Sequence, residues 1–153
     1  MRGLLGVAAL VLAVGSEAGA ADVYGPEQTV DAFHAALAMG DTKAVAALLT
    51  DKAVIFEEGG VERTKAEYSA HHLPADAAFA KVVRMSTARR FGDHGSGLAW
   101  VASEGRMKGS YKGKRIDRLT TETMVLQETS AGWKIVHIHW SSAEAPKHAI
   151  PAD

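Results

Sequence analysis

The chain predicts an α+β fold of one domain, with helices first and an antiparallel sheet after them. Three features carry this. Apolar residues recur at helical spacing through the first part of the presumed mature chain, and from Lys81 onward the period changes to two. Glycine-bearing turns separate the later segments at short intervals. No repeat, low-complexity tract or internal linker interrupts the 153 residues, so one domain is expected over residues 21–143.

The first twenty residues are set aside as a leader. Arg2 gives a positive start, Leu4 to Val14 is an apolar run, and Ala18-Gly19-Ala20 has the small-x-small pattern of a signal-peptide cleavage site. That run is too short to span a bilayer. The expectation is an exported chain, periplasmic or secreted, starting near Ala21 with no integral membrane segment after cleavage. Its tail, residues 144–153, is small, proline-bearing and expected to be loose.

The elements follow in order. Pro26 suits a first helical turn, and Val30, Phe33, Ala36 and Leu37 continue at helical spacing until Gly40. Asp41 is placed to cap a second short helix carrying Val45, Leu48 and Leu49. "AVIFEEGG" predicts a brief strand closed by a Gly-Gly turn. Thr64 and Glu67 form a capping box opening a third helix, "KAEYSAHHL", which Pro74 is expected to stop. Four strands then follow: Val82 to Phe91, Leu98 to Lys108, Ile116 to Gln127, and Trp133 to Ser141.

Composition removes several functions. There is no cysteine, so disulfides, thiolate nucleophiles and sulfur-rich metal sites are excluded. Net charge is only -1, and although Lys81 to Arg118 holds ten basic residues against three acids, the basic residues lack interleaved aromatics on one face. No nucleic-acid partner is expected. No Gly-rich phosphate loop follows a strand, and no strained nucleophile turn surrounds Ser141 and Ser142.

Histidines provide the chemistry. In "WKIVHIHWSS" strict alternation puts His137 and His139 on one face with Trp133 and Ile135, and Val136 and Ile138 on the other. The third helix carries His71 and His72, with Glu67 and Tyr68 each one turn earlier. His71, His72, His137 and His139 together suit Zn or Cu, with Glu122 orienting an imidazole from behind. The competing expectation is a set of neutral histidines lining an organic pocket with Glu57, Tyr68, Glu122, Trp133 and Trp140. His34, His94 and His148 receive no role.

The opening "VDAFHAALAMGDTKAVAALLTDKAVIFEEGG" and the ending "ETMVLQETSAGWKIVHIHWSS" resemble nuclear transport factor 2-like domains, including their SnoaL-like and ketosteroid-isomerase-like branches. The resemblance implies helices packed in a strongly curved antiparallel sheet that forms a cone with a pocket inside. It also implies a homodimer through the open sheet face, and a general-base carboxylate matching Glu57. The tyrosine that donates to the enolate oxygen in the isomerase branch matches Phe33, which has no donor. The preferred reading is an exported binding protein whose cone holds a small ligand or a His-bound metal ion. The alternative is a small isomerase, lyase or hydrolase using Glu57 or His139 as base.

Overall fold

The computed structural model describes residues 24–146; the leader, the expected cleavage point and the end of the tail, including His148, lie outside the described residues. Helix α1 (Pro26–Met39) begins with proline in its first turn and ends where Gly40 takes a left-handed φ of 73°, the conformation that glycine adopts most cheaply. Helix α2 (Thr42–Ala47) is capped by Asp41, whose Oδ1 accepts the Ala44 N–H at 2.9 Å. Strand β1 (Leu49–Glu57) turns through Glu58 and Gly59 into β2 (Gly60–Glu62), a short partner that the sequence reading lacked. The predicted cap at Thr64 is present, accepting from Glu67 N at 3.1 Å at the start of α3 (Lys65–Ala70).

Pro74 does not end the histidine-bearing segment. It opens a further helix, α4 (Leu73–Ala80), because proline in a first turn lacks only an N–H that has no helical partner anyway. His71 and His72 therefore form the joint between two helices, and they do not share one helical face.

Four long strands complete the chain: β3 (Val83–Gly95), β4 (Leu98–Tyr111), β5 (Lys114–Thr129) and β6 (Gly132–Glu144). Residue 144, expected in the tail, closes β6. The β3–β4 and β4–β5 hairpins turn on Ser96-Gly97 and Lys112-Gly113, all with positive φ, which matches the twist of paired strands. The sheet order is β2-β1-β6-β5-β4-β3, antiparallel except where β1 runs parallel to β6. Its six strands form a curved, unclosed sheet of the cone type.

The helices cover one face of this sheet. Val30, Phe33 and Leu37 of α1, Tyr68 of α3 and Leu73 of α4 pack with Ile55, Val101, Met124, Leu126, Ile135 and Ile138 into one core. Burying side chains of this size contributes about 1.5–3 kcal/mol each, which is how a chain without disulfides holds together.

One irregularity decides the face of the histidines. Val125 pairs with His137 but Leu126 pairs with Ile135, so Val136 is an extra residue and β6 is bulged. The extra residue breaks strict alternation. Ile135 and Ile138 are both fully buried, while His137 and His139 project from the opposite, uncovered face, beside Phe56.

Candidate functional site

Where β1 reaches its end, β2, α3 and the α3–α4 joint enclose a cleft of about 300 Å³, lined by Ile55, Glu57, Glu58, Gly60, Val61, Glu62, Tyr68 and His72. Ile55 faces the core, so period two brings Glu57 to the same concave side at the cleft. The tight Glu58-Gly59 turn returns the chain so that buried Glu62 faces the same space. Tyr68 is fully buried on α3 and donates its hydroxyl hydrogen to Asp76 Oδ2 of α4 at 2.9 Å. His72 Nδ1 meets Glu62 Oε1 at 2.5 Å, and His71 Nδ1 lies 3.6 Å from Glu62 Oε2.

Electrostatics distinguish these carboxyls. Partial burial, followed by the neighbouring Asp76 and Glu58 charges, pushes the Glu57 carboxyl up to about 7, although His72 pulls the other way. Burial also raises Asp76, partly offset by the Tyr68 hydrogen bond and His72. Burial and the adjacent Asp76 hold the Tyr68 hydroxyl well above the ordinary tyrosine range, so it remains a donor. Near neutrality Glu57 is thus able both to accept and to release a proton, the property of a general acid–base group.

A second polar cluster lies on the same concave side. Glu122 of β5 is buried; its Oε2 accepts from Trp140 Nε1 at 2.6 Å and sits 2.8 Å from His34 Nε2 of α1. Burial by itself would raise this carboxyl, but the His34 bond and charge, with Trp140 and Arg90, hold it below its ordinary value. Arg90 is in turn fixed by Asp31, 2.8 Å from its Nη1.

The expected site residues are therefore divided. Glu57, Tyr68 and His72 meet in the cleft, and Trp140 stands behind it, its ring 6.5 Å from that of Tyr68. Glu122 belongs to the second cluster with His34, which the sequence reading left without a role. Trp133 lies away from the cleft, edge-on to His94 at 6.3 Å. The four histidines do not converge: His71 and His72 serve Glu62, while the β6 bulge turns His137 and His139 outward. Among the described residues no three His, Asp or Glu side chains are grouped to hold a metal ion. Glu62 and Asp76 were missed because the turn at Glu58-Gly59 and the second helix start at Pro74, which place them, were themselves misread.

Solved structures with this architecture are numerous. A protein from Shewanella frigidimarina NCIMB 400, proposed to be a ketosteroid isomerase, is 40% identical over 74% of this chain and 92% of its own, with a TM-score of 0.71. A proposed dehydratase of the nuclear transport factor 2-like family from Streptomyces avermitilis is 19% identical, covering 81% of this chain and 97% of its own, with a TM-score of 0.66. The CaMKII hub of S. rosetta aligns over 78% of this chain and 98% of its own at 19% identity and a TM-score of 0.63. The latter two share the fold alone. No protein of curated function matches significantly. Among the described residues no helix is long and apolar enough to cross a membrane. The sequence profile of the SnoaL-like domain matches residues 27–145, nearly all of the described fold, and the chain belongs to that family.

Proposed function

We propose that this chain is a small exported enzyme that removes a proton from carbon beside a carbonyl, with Glu57 as base and His72 as the partnering acid. One observation carries the reading: in a ligand-sized cleft, a carboxyl raised to about 7 faces an imidazole whose position is set by a buried carboxylate. Ionised Glu57 takes the proton, and the electron pair moves into the carbonyl to form an enolate. The Glu62 carboxylate accepts from His72 Nδ1, so the imidazolium form of His72 has its Nε2–H left to give, either to the enolate oxygen or to a leaving hydroxyl, and becomes the neutral ring as it does so. In an isomerisation Glu57 then returns its proton to a different carbon of the conjugated enolate and His72 takes its own back; in an elimination the hydroxyl leaves as water with the His72 proton, and both begin with the same step.

The Shewanella frigidimarina relative, proposed to be a ketosteroid isomerase, supports the reaction class. Phe33 offers no hydroxyl, and the Tyr68 hydroxyl is committed to Asp76, so the enolate is served here by an imidazole. Export rests on the Arg2, Leu4 to Val14 and Ala18-Gly19-Ala20 pattern. A binding role without turnover accounts for the cleft but not for the tuned carboxyl.

Deuterium exchange into the α-carbon of small cyclic ketones in D2O, followed by NMR, tests the proposal. Exchange should rise as pH passes through about 7, and Glu57→Gln should lower it by roughly 10²-fold or more. Equal exchange in the wild type and Glu57→Gln would sink it.

A further inference from the structure

The uncovered face of the sheet carries a feature the cleft does not use. Two register rows cross it: Phe56, His139, Thr123, Ala102 and Phe91 in one, and Val54, His137, Val125, Trp100 and Asp93 in the next. Phe56, Phe91 and Trp100 are 40%, 48% and 44% exposed, which is high for large apolar side chains, and among the described residues no helix lies over them. The two histidines sit on β6, an interior strand of the six, with Phe56 edge-on to both rings at 5.0 and 6.1 Å.

Their chemistry is prepared for a cation. The Val54 carbonyl, 2.9 Å from His137 Nδ1, can only accept, so Nδ1 carries the proton and Nε2 keeps its lone pair. A backbone carbonyl holding the far nitrogen is the usual support behind a metal-ligating imidazole. His139, two residues on and on the same face, supplies an exposed ring beside the half-buried His137. Two imidazoles fill only half of a tetrahedral shell, and no third ligand of this chain joins them among the described residues.

We propose that His137 and His139 of two copies of this chain together bind one Zn2+, making a four-imidazole site that joins the uncovered sheet faces. A second copy is the occupant because a two-fold axis through the pair duplicates both ligands in one operation. The apolar rows then lose water on both sides. Beside the histidine rows the charges are matched, Arg89 opposite Glu104 and Arg106 bonded to Asp117 at 2.6 Å, while Arg84 and Lys108 lie further along β3 and β4. Neutral imidazoles suit a borderline divalent ion and leave Mg2+ and Ca2+ without the oxygen ligands they need.

The test is sedimentation of tag-free, chelator-stripped full chain with and without Zn2+. Zinc should tighten dimerisation at least tenfold and bind at one ion per two chains, while Mg2+ has no effect. His139→Ala and His137→Ala should both abolish the response, and His72→Ala should keep it. Because His139 is exposed, retained circular dichroism of His139→Ala separates loss of the site from loss of the fold. Unchanged association with zinc, one ion per chain without dimerisation, or a wild-type response in His139→Ala would overturn the proposal. Glu57→Gln should respond to zinc like the wild type, so failure here leaves the proton-transfer reading untouched, and the converse holds.

Discussion

Replacing Glu57 by Gln should stabilise the protein at alkaline pH and leave it unimproved at acid pH. The Glu57 carboxyl rises from 4.5 to about 7 on folding. An acid whose pKa is raised by folding contributes most stability below its unfolded value, and that contribution is lost as pH climbs through the folded value. Gln has a similar shape and never ionises, so it escapes the loss. Unscreened, the shift corresponds to about 3 kcal/mol, at about 1.36 kcal/mol per unit. Glu57 is exposed on the open side of the cleft, however, and water screens most of this. The expected difference is on the order of 1 kcal/mol. Urea unfolding of both proteins at about pH 5 and about pH 8.5 measures it, because groups common to the two cancel in the comparison. A gap that is the same at both pH values, or that widens in favour of the wild type at alkaline pH, would refute the assignment of Glu57 as the raised carboxyl. A variant that gains stability while losing proton exchange would show the trade between activity and stability expected of a catalytic group.

Glu122→Gln should act in the opposite sense. The Glu122 carboxyl is held low, so its stabilisation is present above 4.5 and is lost as pH falls below that value. At neutral pH the variant should lose about 1–3 kcal/mol by weakening the bonds from His34 and Trp140, and chemical unfolding should show the gap closing in acid. The bulged register of β6 predicts that Ile138→Ala costs about 2–5 kcal/mol while its neighbour His139→Ala, without added metal, changes stability by no more than about 0.5 kcal/mol. Equal losses at 138 and 139 would contradict the outward face assigned to His139. For the leader, intact mass of the exported protein should place the mature N-terminus at Ala21 or within a few residues, and retention of Leu4 to Val14 would count against export.

What the sequence by itself determined is what local chemistry determines. Gly40 ends α1 because few other residues accept its left-handed backbone, Asp41 and Thr64 cap helices with their own side-chain oxygens, and period two marks each long strand. Helix-then-hairpin order gave the α+β class, while Glu57 is singled out through the resemblance to nuclear transport factor 2-like domains and Tyr68 through its place on the third helix; both line the cleft. Only the tertiary structure decided the rest. Val136 is one extra residue whose effect exists only in the pairing with β5, yet it sends Ile138 inward and both β6 histidines outward. Pro74 is compatible with a stop or a start, and the packing of Leu73 and Ala77 into the core settles it as a start, which brings Asp76 to Tyr68. The Glu122–His34 pair joins residues far apart and the Glu62–His72 pair spans helix α3, and no local periodicity encodes them. Local rules act over a few residues of backbone, whereas the tuning of Glu57 arises from which charges the folded chain brings beside it.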